Sequence, residues 1–317
     1  MNRIVFDENL AWLKRAPREA FSLIYIDPPF NTGRDQARTR LRTVADENGD
    51  RTGFKGRRYR TERLGTTGFD DRFDDYIGFL RERIEAARPL LAADGSLFVH
   101  VDGREVHYCK VMLDEVFGRD AFMNEIVWAY DYGARSRRRW SPKHDNLLWY
   151  VNDPDRYTFN YDAIDRIPYM APGLVGPEKA ARGKTPTDVW WHTIVSPNGK
   201  ERTGYATQKP LGILERIVRV HSNPGERLLD FFAGSGSFGE AAARNGRDFV
   251  LVDNNPDAVR IMLSRLAKYD PQTEGVGAGE LEATEPSGSN ESTGPTGPTE
   301  AADAPGHRRP SAHARPA

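Results

Sequence analysis

The sequence holds a single cysteine, Cys109, in 317 residues. That excludes a disulfide framework and a cysteine-based zinc site, and Cys109 reads as a small, half-buried helix residue. No apolar run approaches the roughly 18 residues needed to span a bilayer, and the opening MNRIVFDENLAWLKR has no apolar signal core. The expectation is a soluble, cytoplasmic protein. No histidine pair has metal-ligand spacing with a carboxylate partner: His100 and His107 flank a strand and a helix, so no metal is expected. Net charge is nearly absent too, at −1. That balance hides an asymmetry. From Asp270 onward there are eight acids and three Arg, about −5, which leaves Met1–Tyr269 near +4. A mildly basic body permits a nucleic-acid partner without requiring one.

The remaining composition supports a packed core, with 38% hydrophobic and 10% aromatic residues. The stretch 270–317 departs from it, being rich in Gly, Pro, Ser, Thr and Glu, and is expected to be a disordered acidic tail. Within 1–269, strand and helix signals alternate. FSLIYI (Phe21–Ile26) reads as a strand buried on both faces. Asp74–Arg88 and Glu105–Phe117 have helical spacing, the first stopped by Pro89 and the second by Gly118. Ser96–Val101, Glu125–Tyr130 and Asn146–Val151 read as further strands. A helix over Leu211–His221, a strand over Arg227–Phe232, a glycine loop with a short helix, a strand over Asp248–Asp253 and a last helix over Pro256–Tyr269 follow. This alternation predicts a doubly wound α/β sheet, Rossmann-like in plan. Two segments fall outside it. Residues 34–70 form a basic insertion, expected to be mobile, with ten Arg or Lys against five acids in Arg34–Leu64. Residues 131–204 are punctuated by Pro and Gly and open on the run RSRRRW (Arg135–Trp140).

Two constellations carry chemistry. In LLDFFAGSGSFG (Leu228–Gly239) a strand runs into Gly234-x-Gly236-x-x-Gly239 and then a helix. Glycines let the backbone approach a ligand, and the helix N-terminus offers unpaired N–H groups. The next strand ends at Asp253, where a carboxylate can accept from a ribose diol. A nicotinamide cofactor would suit the loop equally, but the second half of a dinucleotide site would have to follow it. Only about sixteen structured residues do, so the other half of the sheet must precede the loop. The second constellation, Asp27-Pro28-Pro29-Phe30, closes the buried Phe21–Ile26 strand at the end where wound sheets place ligands. A strand-ending turn would explain the prolines but not the flanking carboxylate and aromatic. An exocyclic amine on adenine or cytosine is a poor nucleophile because its lone pair is delocalised into the ring. Acceptors on both N–H groups localise that pair. The Asp27 carboxylate and the Pro28 carbonyl could supply them, pre-aimed by prolines that fix φ and restrict the residue before them. Phe30 could stack on a base flipped from its helix.

Together these segments resemble the DNA amino-methyltransferase family over most of Met1–Tyr269. DPPF looks like its catalytic motif and LDFFAGSG like its methyl-donor motif. Their order is that of the circularly permuted β group. Further similar segments are YIDPPFNTGR, FDDYIGFLRERIEAARPLL, DGSLFVHVD, NEIVW, HDNLLWY and GYATQKPLGILERIV. The resemblance implies a Rossmann-like methyltransferase fold, S-adenosyl-L-methionine as methyl donor with no metal, and double-stranded DNA as partner. Self-association as a homodimer and a restriction-modification partner stay open, and a stand-alone enzyme is expected. At matching positions, Asp27, Pro28, Pro29 and Phe30 would be catalytic. Asp230, Phe232, Ala233, Gly234, Ser235 and Gly236 would line the donor's methionine end, Asp253 its ribose, and Lys209 of TQKP its carboxylate. Asp7, in FDEN, matches an adenosine-contacting segment loosely, with Phe where the family has Gly. Residues 131–204 stand where this group keeps target recognition, and Arg135, Arg137, Arg138 and Arg139 would contact DNA phosphates or a base edge, unless the run is a solvated loop. Asp at the head of DPPF points to adenine N6, since cytosine-N4 members more often carry Ser. Cytosine N4 and a non-catalytic DNA-binding partner subunit are the rival readings.

Overall fold

The described residues of the computed structural model are 1–32, 36–46, 51–52, 58–69, 71–133, 135–196, 199, 201–205 and 207–277. The chain runs β1 (Arg3–Phe6), α1 (Asn9–Arg15), β2 (Phe21–Ile26), β3 (Gln36–Ala45), β4 (Arg51–Thr52), β5 (Arg58–Phe69), α2 (Tyr76–Ala87), β6 (Leu91–Val101) and α3 (Val106–Phe117). It continues through β7 (Phe122–Ala129), β8 (His144–Val151), α4 (Pro177–Arg182), β9 (Val189–Trp191), α5 (Leu211–His221), β10 (Arg227–Asp230), α6 (Ser237–Arg244), β11 (Asp248–Asp253), α7 (Pro256–Leu266) and β12 (Gln272–Glu274).

All six residues of β2 are buried. The reason is its place in the sheet: Ile24 is paired with Leu229 on one side and Leu97 on the other, so the strand has no free edge, and α5 packs on it. Among the described residues nine strands form one sheet in the order β12-β1-β11-β10-β2-β6-β8-β7-β9. The run from β12 to β6 is parallel, and β8 is antiparallel to both of its neighbours. The sheet therefore mixes both pairings around a parallel centre. α2 starts where the Asp75 carboxylate accepts from the Gly78 amide at 2.8 Å, and α3 stops at Gly118, whose φ of 90° a side chain would resist.

Chain order decides where a ligand can sit. From β10 the chain crosses to β11 on one side, and from β2 it reaches β6 on the other. Connections leaving the C-terminal ends of adjacent strands in opposite directions open a crevice between them. The half of the sheet that the glycine loop lacks downstream is β2, β6, β8 and β7, all earlier in the chain, as expected.

One boundary and one segment differ from what the sequence suggested. Acidic composition put the start of the tail at Asp270, yet β12 pairs in parallel with β1. Glu274 accepts from Arg15 at 3.0 Å and from Arg3 at 3.4 Å, and Val276 packs against the core. Residues 278–317 lie outside the described residues. The basic insertion 34–70, expected to be a mobile loop, contains a three-stranded antiparallel sheet in the order β3-β5-β4, with Gln36 opposite Phe69 and Ala45 opposite Tyr59. Backbone pairing over that length offsets a charge pattern that argued for a loop. Residues 33–35, 47–50, 53–57 and 70 of the insertion lie outside the described residues. Among those described, no helix is long and apolar enough to cross a membrane.

Truncation separates the two parts of the C-terminal region. A chain ending at Gly277 is expected to melt within about 1 °C of full length, because 278–317 lacks the apolar residues that bury a core face. A chain ending at Tyr269 should lose about 1–3 kcal/mol with β12 and its ion pairs, read as a lower denaturation midpoint at unchanged m. Equal midpoints for the two truncations would be the contrary result.

Candidate active site

At the C-terminal ends of β2 and β10, Asp27, Pro28, Pro29 and Phe30 line a cavity of about 540 Å³ together with Asp230, Phe232, Ala233, Gly234, Ser235, Asp253 and Lys209. The two sequence constellations, some 200 residues apart, thus share one wall. Consecutive prolines carry the chain out of β2 without amide donors, and the turn after them is braced by Asp71. That carboxylate is 1% exposed and accepts from the amides of Asn31 at 2.7 Å and Thr32 at 3.1 Å. Asn31 has φ 50°, a left-handed conformation that Asn tolerates, and donates through its side chain to Glu105 at 2.9 Å.

Asp27 is the centre of the site. Its Oδ2 accepts from the Lys209 ammonium, and its Oδ1 is buried with no hydrogen-bond partner among the described residues. The Lys209 ammonium also lies 4.8 Å from the centroid of the Phe30 ring. Burial raises the Asp230 carboxyl well above the carboxylate range, and the charges of Asp27 and Asp253 push the same way, against the Phe232 amide and Lys209. Burial raises Asp253 too, offset in part by backbone amides including those of Asn255 and Gly234, at 2.9 and 2.7 Å. Five acidic side chains, Glu8, Asp27, Asp71, Asp230 and Asp253, line this cavity, and acids gathered in one cavity favour a ligand that brings positive charge.

The glycines divide in role. A Cβ on Gly234, φ 48°, would stand 3.0 Å from the Tyr205 ring, which lines the cavity, so a bare backbone is needed where ligand space begins. Gly236, φ 70°, was expected to line the donor, but a Cβ there would meet Met262 at 2.9 Å. It lies away from the cavity wall and lets α7 close on the loop. Asp7 also lies outside the cavity lining. Its carboxylate pairs with Arg15 at 2.5 Å, and the neighbouring Glu8 and Asn9 line the cavity instead. Asn9 donates to the Phe231 carbonyl at 2.9 Å, and Arg83 clamps both, at 2.7 Å from Asn9 Oδ1 and 2.7 Å from Glu8, while lying 3.7 Å over the Phe79 ring. Glu8, Asn9, Asp71, Phe79, Arg83 and Tyr205 escaped the sequence reading, because each reaches the site only through tertiary packing.

A second cavity of about 490 Å³ adjoins the first, sharing Phe30, Tyr205, Thr207 and Lys209 with it. Its wall is aromatic, from Phe30, Trp128, Tyr130 and Tyr132, with Asp145 as its carboxylate. Asp145 is fixed by Tyr130, which donates at 3.1 Å, and by His100 Nε2 at 3.3 Å, while His100 Nδ1 meets the Tyr25 hydroxyl at 2.7 Å. Lys209, expected only at the donor's carboxylate, stands between the cavities and on Asp27. Arg135, Arg137, Arg138 and Arg139 lie outside both cavities, exposed on the loop between β7 and β8, where Arg135 pairs with Asp131 at 2.9 Å.

A wound sheet whose glycine loop and DPPF turn share one cavity wall at its switch point has the architecture of a Rossmann-like nucleotide-binding enzyme. The chain belongs to the DNA methylase family, whose N6/N4 methyltransferase model matches residues 21–264. It is 28% identical over 276 residues to the DNA adenine methyltransferase YhdJ of Escherichia coli K12, covering 83% of this chain and 82% of the relative. Two solved structures share the fold. The complex of M1.HpyAVI with S-adenosylmethionine has a TM-score of 0.55 at 20% identity, covering 84% of this chain and 99% of the other. The cytosine-N4-specific PvuII DNA methyltransferase has a TM-score of 0.58 at 13% identity, covering 89% and 90%.

Proposed function

We propose that the chain transfers a methyl group from S-adenosyl-L-methionine to the exocyclic N6 of adenine in double-stranded DNA, on a fold with the catalytic turn before the donor loop as in the permuted group. The observation that carries this reading is the buried Oδ1 of Asp27, without a partner among the described residues, on the wall of a cavity that adjoins an aromatic one. An acceptor left without a donor costs about 1–3 kcal/mol, a penalty that an incoming N–H removes.

The first cavity suits the donor. Its carboxylates complement a cationic ligand, and Gly234 keeps side-chain bulk out of it. Asp230 and Lys209 would face the donor's amino-acid end, Asp253 its ribose, and Glu8, Asn9 and Phe79 its remaining length. Bound there, the donor supplies an electrophilic methyl group on a sulfonium. The protein's work is positional. Phe30, Trp128, Tyr130 and Tyr132 receive a flipped base by stacking. Asp27 Oδ1 and the Pro28 carbonyl then accept from the two amine hydrogens and direct the nitrogen lone pair at the first cavity. Asp27, held on its other oxygen by Lys209, keeps that aim without reorganising. The chemistry demands acceptors aligned before reaction, and this wall presents a carboxylate fixed on one side only.

Adenine follows from Asp at the head of the turn, and the likeness to PvuII methyltransferase keeps cytosine N4 as the alternative product. Nucleoside mass spectrometry of DNA from cells expressing the chain decides between them. The expected product is N6-methyladenine. N4-methylcytosine as the main product would overturn the base assignment, and no methylated base at all would favour the non-catalytic partner.

A further inference from the structure

Trp140 is 97% exposed, an unusual position for the largest apolar side chain. It sits on the loop that joins β7 to β8, and the base of that loop is pinned. The Tyr130 amide donates to the Lys143 carbonyl at 2.9 Å, and Lys143 Nζ to the Tyr132 carbonyl at 2.5 Å. Tyr130 and Tyr132 on one flank and Asp145 on the other line the aromatic cavity, so the loop rises from that cavity's rim. Its tip is organised by its own hydrogen bonds: the Ser136 amide donates to Ser141 Oγ at 2.8 Å, and the Arg138 and Arg139 amides to Ser136 Oγ at 3.2 and 3.3 Å. Among the described residues Arg137, Arg138 and Arg139 make no ion pair. A solvated Trp beside three guanidinium groups that make no ion pair among the described residues, on a loop whose flanks line a pocket with stacking walls, fits a duplex with one base removed.

We infer that Trp140 enters the DNA stack in place of the flipped base, while Arg137–Arg139 hold the flanking phosphates. Flipping breaks stacking and pairing that nothing in the aromatic cavity restores to the strand left behind, and an inserted apolar side chain refills that gap. The inference rests on reading the aromatic cavity as the pocket for the flipped base. It makes Trp140 a positioning residue, since it touches neither donor nor reacting amine.

The experiment uses the full chain and a duplex carrying the methylated position mapped in DNA from expressing cells, once fully paired and once with that base mismatched. A mismatched base leaves the helix easily and needs the wedge less. Trp140→Ala is expected to lower kcat/KM by about 10- to 100-fold on the paired duplex, the range of one lost aromatic stack, and by less than about threefold on the mismatched one. Trp140→Phe should restore most of the loss. Melting temperature should not move, because the side chain is exposed. Replacing Arg137, Arg138 and Arg139 together by Ala is the contrasting variant. It should weaken binding to both duplexes alike and reduce the slope of log affinity against log salt by about 2.7, or 0.9 per phosphate contact. Equal losses on both duplexes for Trp140→Ala, or none on the paired one, would overturn the wedge. Because the duplex is chosen from a mapped product, a failure of the functional reading shows earlier, as the absence of any methylated base.

Discussion

Replacing Asp27 by Ala is expected to lower turnover on DNA by about 10²–10³-fold or more while changing donor affinity less than about threefold. The magnitude is that of removing one preorganised group from the place where charge develops in a transition state. The selectivity comes from where the two oxygens point. Oδ2 is engaged by Lys209 and Oδ1 has no partner among the described residues, so neither is bonded to the glycine loop that walls the donor's side. Asp27→Asn adds a sharper test, because it keeps the shape and one neutral acceptor. If the charge of the acceptor matters, Asn falls nearly as far as Ala; if shape alone matters, Asn recovers most of the rate. Turnover is read by tritium transfer to DNA and donor affinity by calorimetry. A variant that turns over normally would remove Asp27 from the chemistry and leave its buried partner Lys209 as the group to test.

The elements that could be read directly are those whose reason lies within their own residues. β2 and β11 match their expected spans residue for residue, being apolar runs closed by a carboxylate, and α5 does so because Leu211–His221 is amphipathic from end to end. β6 extends five residues earlier than expected, to Leu91, because the polar Asp94 and Gly95 interrupt its pattern while its backbone still pairs with β2 at Phe21. β12 has no apolar residue at all. Its strand state comes from β1, which pairs with it some 270 residues away in sequence, and no local signal carries that.

The site divides in the same way. DPPF and the glycine loop are contiguous, so their residues were named, and the sheet then set them side by side. What joins them has no local signal: Asp71 stands close to Asp74 and Asp75 in sequence, and nothing in that stretch distinguishes the buried Asp71 from the two exposed carboxylates. Gly234 and Gly236 are equivalent in a G-x-G pattern. They separate only when Tyr205 stands against the first and Met262 against the second. Asp7 matches its motif loosely, and its carboxylate pairs with Arg15, at the far end of α1. A pattern fixes which residues approach a site, and the identity of the neighbours fixes which way each side chain faces.

The neighbours matter most at Lys209. Replacing it by Met, which keeps the length of the stem, is expected to cost about 3–5 kcal/mol, the range for breaking a buried pair and leaving one charge behind. The two side chains are 10% and 16% exposed, which puts the pair within that range rather than among surface ion pairs worth a fraction of it. The loss should depend on pH in a stated direction. Lys209 lowers the Asp230 carboxyl against burial and the charge of Asp27, so its removal lets Asp230 rise further above its ordinary 3.8. A carboxyl whose folded-state value is raised binds its proton more tightly folded than unfolded, so it adds stability as pH falls through that raised value. Lys209→Met should therefore be most damaging near pH 8 and less so near pH 5. Adding Asp27→Asn removes the charge left behind, and the double variant should lose less than the sum of the two single losses by at least about 1 kcal/mol. Chemical denaturation of wild type, both single variants and the double variant at the two pH values measures all of this. Additive losses, or a deficit that grows toward pH 5, would show that Lys209 does not hold the charge of Asp27 in the folded protein.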